Sequence, residues 1–286
     1  MEKIIKSDKI TVAIDTFGAQ LKSVKDINGT EFMWDGDPNV WGSTAPILFP
    51  ICGSLKGDKY THDGKEFSML QHGLAKRNEF SVENHTDNEI TFLLVSDEKT
   101  KEQYPFDFEF RVIFKAFGNT LSMEYNVKNT GNETMYFSLG GHEGYATPEG
   151  IDEYELIFDR KVTLDSYDLQ GPLADYTYQN MLENSDTFPL TDDYFVVDTL
   201  VFLNIASKVC TLSHKNGGRK ITLDYSDFDN LMIWHVPGGK YICLEPWNGM
   251  PDRVDSDGIL KNKEGIIPME AGKTYSAVHK ATFVNE

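Results

Sequence analysis

Phe106, Phe108, Phe110, Val112 and Phe114 recur at every second position, and after a Gly118-Asn119 turn Leu121, Met123, Tyr125 and Val127 repeat the pattern. A third run, Met135, Phe137 and Leu139, follows Asn129-Thr130-Gly131-Asn132. A period of two sends successive side chains to opposite faces of a strand, so each run has one buried face and one more polar face. The loops between the runs are short, which predicts antiparallel neighbours.

Shorter runs extend the theme on both sides. Thr11–Ile14, Leu21–Val24 and Thr30–Trp34 come first, with an Asn28-Gly29 turn signal between the last two. Phe80–Glu83 and Ile90–Val95 follow, and later come 155–158, 199–203, 209–212, 220–225, 231–234, 274–278 and 281–284. Helix is scarce; the best candidate is Asp97–Gln103, stopped near Pro105. Many short strands without a βαβ rhythm predict an all-β chain, a sandwich or barrel. The 286 residues show no linker, repeat or composition break, so residues 1–286 are expected to form one domain.

A net charge of −18 argues against nucleic acid or an anionic membrane as partner. Cys52, Cys210 and Cys243 are odd in number and far apart, each in an apolar neighbourhood, which reads as reduced buried thiols in a cytoplasmic protein. There is no CxxC to suggest zinc, and no apolar window long enough to span a bilayer. Several partial motifs fail on inspection. Gly272-Lys273-Thr274 has Ile267 where a phosphate loop needs its first glycine, His142-Glu143 has Ala146 where HExxH needs histidine, and the acidic run at 255–264 starts an EF-hand template on Arg253.

Three stretches can carry chemistry. Tyr241–Leu244 reads as a buried strand that delivers Glu245 and ends at Pro246, with Trp247 beside it. Glu245 is then either a surface carboxylate before a loop or an acid–base group beside an indole face, an arrangement that suits the C–H-rich faces of a sugar ring. Gly140-Gly141-His142 ends the third run, and glycines on both sides of a histidine let backbone or ligand approach closely. His72, before Gly73, is either a solvated turn residue or a site residue. If His142 and Glu245 converge they form an acid and a base with no nucleophile or cofactor motif beside them, and opening and closing a sugar hemiacetal needs only proton transfer.

His72-Gly73-Leu74-Ala75-Lys76, Gly140-Gly141-His142 and Cys243-Leu244-Glu245-Pro246-Trp247-Asn248-Gly249 together resemble the three hallmark motifs of the aldose 1-epimerase (galactose mutarotase-like) family. Ile47-Leu48-Phe49-Pro50 and Asp198–Phe202 extend the likeness to its bacterial LacX-like branch. The resemblance implies a large antiparallel β-sandwich of the supersandwich type. It implies Glu245 as base for the C1 hydroxyl, His142 as acid for the ring oxygen, and His72, Asp198 and Trp247 as sugar-binding groups. Where the family usually has an arginine after Phe49-Pro50, this chain reads Gly53-Ser54-Leu55-Lys56, so Lys56 is the cation on hand there. Lys76 holds the place of another family arginine.

The resemblance therefore implies an isomerase interconverting the α and β anomers of a free aldohexose or related sugar, without metal or cofactor, as a monomer or homodimer. Two alternatives stay open: a carbohydrate-binding protein without turnover, and a hexose-6-phosphate 1-epimerase, for which Lys56, Lys76 and Arg77 offer charge.

Overall fold

In the computed structural model, which describes residues 1–196 and 198–285, fourteen strands join one antiparallel sheet system, with three small sheets beside it. The architecture is a large β-sandwich over one extended core cluster. The phenylalanine run is the strand Phe108–Phe117, paired along its length with Thr120–Asn129. Burial alternates along both strands, as period two requires. Phe110 is fully buried and stacks on Phe49, with ring centroids 4.5 Å apart.

Neighbouring strands carry this ladder across the molecule. Thr120–Asn129 pairs with Thr274–Asn285, that strand with Arg219–Asp224, and that one with Val209–His214. Val209–His214 pairs with Tyr154–Gln170. Leu200–Phe202 then leads through Asn230–Trp234 to Tyr241–Asn248, all eight residues of which are buried. The only α-helical turn among the described residues, Glu98–Lys101, lies within the expected segment. It is held by a reciprocal cap between Asp97 and Thr100.

Three expectations need correction. The third run does not continue the hairpin: Met135–Phe137 pairs with Ile267–Met269, and Leu139–Gly140 with Tyr241–Asn248. Buried Asn129 turns the chain away, donating to the carbonyls of Glu133 and Met269 and accepting from Gly131 N–H. Second, Tyr154–Gln170 and Leu173–Pro189 form a ribbon of two 17-residue strands, where the sequence pattern reached only 155–158. The returning strand is mostly exposed, so it carries no apolar alternation.

Third, the strand of Glu245 does not end at Pro246 but continues to Asn248. Its register against Leu139–Gly140 and against Glu143–Ala146 is continuous, which sets Gly141 opposite Pro246 and His142 opposite Glu245. In an antiparallel strand a residue's N–H and C=O face the same neighbour. Pro246 C=O accepts from Gly141 N–H at 3.1 Å, so the donor that proline lacks also falls on this side. The ladder is interrupted there and nowhere else along this neighbour.

Phe110→Ala is expected to lower the unfolding free energy by about 3–5 kcal/mol, the usual cost of emptying a buried aromatic site. A urea titration showing less than about 1 kcal/mol would contradict the packing described.

Candidate active site

His142 and Glu245 face each other across this interruption, on the same side of the sheet. His142 Nδ1 and Glu245 Oε1 are 3.4 Å apart, and neither atom has a hydrogen-bond partner among the described residues. Glu245 is 1% and His142 8% exposed, so water does little to solvate a charge on either. The residues sharing His142's face along its own strand are Gly140 and Gly144. A Cβ on Gly140 would lie 2.6 Å from the Trp247 ring, and one on Gly144 2.7 Å from Trp41. The two glycines thus make room for two indoles, and the imidazole stands between them, stacked on Trp41 at 5.2 Å.

A cavity of about 390 Å³ opens over this pair. Its walls include His72, Lys76, His142, Asp198, Glu245 and Trp247, six of the seven residues that the sequence singles out. Lys56 is the exception. It starts an exposed turn, and only its backbone N–H is engaged, at 3.0 Å from Asp252 Oδ2. Sequence proximity to the Phe49-Pro50 motif does not report side-chain direction, and the Lys56 ammonium is not part of the cavity wall. Arg77 is also turned away, donating to the carbonyls of Gln71 and Gly73 and so bracing the His72 loop.

His72 sits in that loop at φ +67°, a left-handed conformation uncommon for a residue with a Cβ. Gly53 N–H donates to His72 Nδ1 at 3.2 Å, and His72 N–H donates to Gly53 O. Because Nδ1 accepts, the hydrogen of the neutral ring is on Nε2. The ring packs edge-on against His142 and Trp247. Trp247 Nε1–H donates to Gly141 O at 3.1 Å, tying the indole to the turn that carries His142.

Electrostatics favour the neutral forms of the pair. Burial is the largest cause throughout. It pushes the Glu245 carboxyl well above its ordinary range, helped by Glu143 and Asp198 and opposed by Trp247 and Lys76. Burial and the Lys76 charge push His142 down to about 3. His72 is held well below its usual range by burial, then by His142, Lys76 and Arg77. Lys76 itself is lowered to about 8 by burial and Arg77, with Glu245 opposing. These directions favour the neutral forms of both carboxyl and imidazole, and Lys76 titrates near 8.

Residues that the sequence reading left out complete the walls. Trp41, from the irregular segment before Pro46, and Trp234, which ends its strand, both pack on His142. Met232 and Val201 come from the next two strands. Leu169 and Pro172, at the end of the long ribbon, close one side. That end is tethered by Arg253, whose guanidinium lies over Tyr167 and Tyr176 and pairs with Glu264 at 2.8 Å. A lone tryptophan in a loop has no sequence signal that distinguishes it from surface or core. Cys243, two residues before Glu245 on the same face, puts its sulfur with His142 and Glu245 ligand atoms inside a 4.8 Å span.

A sequence model of the family described as Aldose 1-epimerase matches residues 3–280. The plasmid and chromosomal LacX proteins of Lactococcus lactis subsp. lactis are each 31% identical, over 94% of this chain and 96% of theirs. A galactose mutarotase related enzyme from Lactobacillus acidophilus is 35% identical, with a TM-score of 0.94 over 99% of this chain and 97% of that one. A galactose mutarotase-like protein from Lactobacillus casei ATCC 334 is 27% identical and also superposes with a TM-score of 0.94, over 99% of this chain and 100% of that one. With its β-sandwich and its cavity-facing histidines and glutamate, the chain belongs to the aldose 1-epimerase family.

Proposed function

We propose that this chain interconverts the α and β anomers of a free aldohexose, with Glu245 and His142 moving the protons. The observation that carries the reading is the facing pair itself: one carboxyl and one imidazole, 3.4 Å apart, buried at the floor of a cavity large enough for a monosaccharide. Indole walls from Trp41, Trp234 and Trp247 suit the C–H faces of a pyranose, and Lys76, Asp198 and His72 Nε2–H offer partners for its hydroxyls.

The proton balance closes on the pair. Shifting the Glu245 proton to His142 Nδ1 gives a carboxylate and an imidazolium. The carboxylate then takes the proton of the C1 hydroxyl, the C1–O5 bond breaks, and the imidazolium nitrogen turned away from Glu245 protonates O5. Glu245 is again a carboxylic acid and His142 a neutral imidazole, the forms that burial favours. The open aldehyde turns about C1–C2. O5 attacks either face of C1 while Glu245 returns its proton to O1 and His142 takes the O5 proton. No atom is gained or lost, and the raised carboxyl makes Glu245 a stronger base once ionised.

A free sugar is favoured over a phosphorylated one. Of the three cations that could hold a phosphate, Lys76 alone is on the cavity wall, and Asp198 and Glu245 share that wall. Even with Glu245 in its neutral form, Lys76 is the one cation of the three on that wall and Asp198 stands on it too, so no cluster of cations awaits a dianion.

Glu245→Gln removes the base while keeping the shape. Acceleration of anomer exchange, followed by saturation-transfer NMR on galactose and glucose, is expected to fall by about 10²–10⁴-fold. An unchanged rate would refute the assignment. Wild-type protein that binds sugar saturably but accelerates nothing would support the carbohydrate-binding alternative instead.

Lys76 gives a pH signature. Below about 8 it is an ammonium donor, and as pH rises through that value it loses its charge. Calorimetric sugar affinity is expected to weaken with a midpoint near 8, and Lys76→Met should flatten the profile. A wild-type affinity that stays flat to about pH 10 would contradict this role for Lys76.

A further inference from the structure

We propose that His142, Cys243 and Glu245 form a binding site for a thiophilic divalent cation, zinc above all, and that the bound ion switches off proton transfer at the pair. His142 Nδ1 and Glu245 Oε1 are buried, lack hydrogen-bond partners among the described residues, and lie 3.4 Å apart. Bond lengths of about 2.0–2.3 Å in a tetrahedral zinc site put neighbouring ligand atoms roughly 3.3–3.7 Å apart. The observed separation already matches one edge of that tetrahedron, and the Cys243 sulfur lies inside the same 4.8 Å span.

The geometry follows from the strand. Cys243 and Glu245 are two residues apart and so share a face, and His142 stands opposite Glu245 on the neighbouring strand. Cys243 and Glu245 are fixed by sheet register, and His142 by the two-residue gap between the paired segments Leu139–Gly140 and Glu143–Ala146. The cavity that His142 and Glu245 line leaves a fourth position open to water or a sugar hydroxyl, the pattern of three protein ligands and one exchangeable one.

Charge also balances. Zinc would displace the Cys243 and Glu245 protons into solvent, leaving a dication against a thiolate, a carboxylate and a neutral imidazole, with no net charge to bury. Sulfur and imidazole nitrogen select zinc over magnesium or calcium, which prefer all-oxygen sites. Once a metal occupies the Nδ1 and carboxylate lone pairs, the proton shift between them is blocked.

The test is made on metal-stripped full-length protein, and its binding readouts do not depend on turnover, so they stand apart from the epimerase assignment. Calorimetry with zinc is expected to show one ion per chain. Cobalt(II) as a probe is expected to give a thiolate-to-metal charge-transfer band in the near ultraviolet, which Cys243→Ser abolishes. Zinc-soaked crystals should show an anomalous peak between the three side chains, which decides the question even if Cys243→Ser fails to fold. Where exchange activity is present, zinc should lower it by about tenfold or more, reversibly with chelator. Cobalt bound without the band, a band that survives in Cys243→Ser, or an anomalous peak elsewhere would overturn the site.

Discussion

The site rests on one interruption in a β-ladder. Pro246 has no N–H to give, and the missing donor faces the neighbouring strand at Gly141. On either side of that point pairing is regular, so the register cannot slip, and His142 is held opposite Glu245. A one-residue slip would send His142 to the opposite face of the sheet. The acid and the base are thus cross-strand partners, placed by the same hydrogen bonds that stabilise the sandwich.

Burial then sets their chemistry. A carboxyl and an imidazole in water would be charged and neutral near pH 7, respectively; burial, with Glu143 and Asp198 nearby, shifts the carboxyl towards its neutral form as well. The pair can take the C1 hydroxyl proton on one member and give a proton to O5 from the other with no net change in its own proton count, which is what opening and closing a hemiacetal requires. The glycines at 140 and 144 belong to the same design, because Gly140 clears the space for Trp247, which packs on His72, and Gly144 that for Trp41, which stacks on His142.

Much of this was legible in the sequence because sheets write their pattern at period two. The Phe108–Phe117 and Thr120–Asn129 pair reads directly, since each strand buries one face. The 154–189 ribbon does not, because its returning strand lies mostly in solvent and nothing forces apolar residues to alternate there. Pro246 reads as a strand end because a missing donor looks the same whether a ladder stops or skips one bond. His142, Glu245 and His72 carry signals in their glycine and proline neighbours. Trp41 carries none, and Lys56 sits beside the right motif while its side chain goes elsewhere. Cys243 is invisible as a ligand because its partners come from two strands rather than from a spaced motif.

The central claim is that, before a sugar binds, Glu245 and His142 hold one proton between them, with the carboxyl protonated and the ring neutral. The direct measurement is infrared spectroscopy of the carboxyl region at neutral pH, paired with ¹⁵N NMR of the His142 ring, in wild type and in Glu245→Gln. The account predicts a protonated-carboxyl band that vanishes in Glu245→Gln, and neutral-imidazole shifts for His142. An ionised carboxylate facing an imidazolium in the ligand-free protein would contradict it.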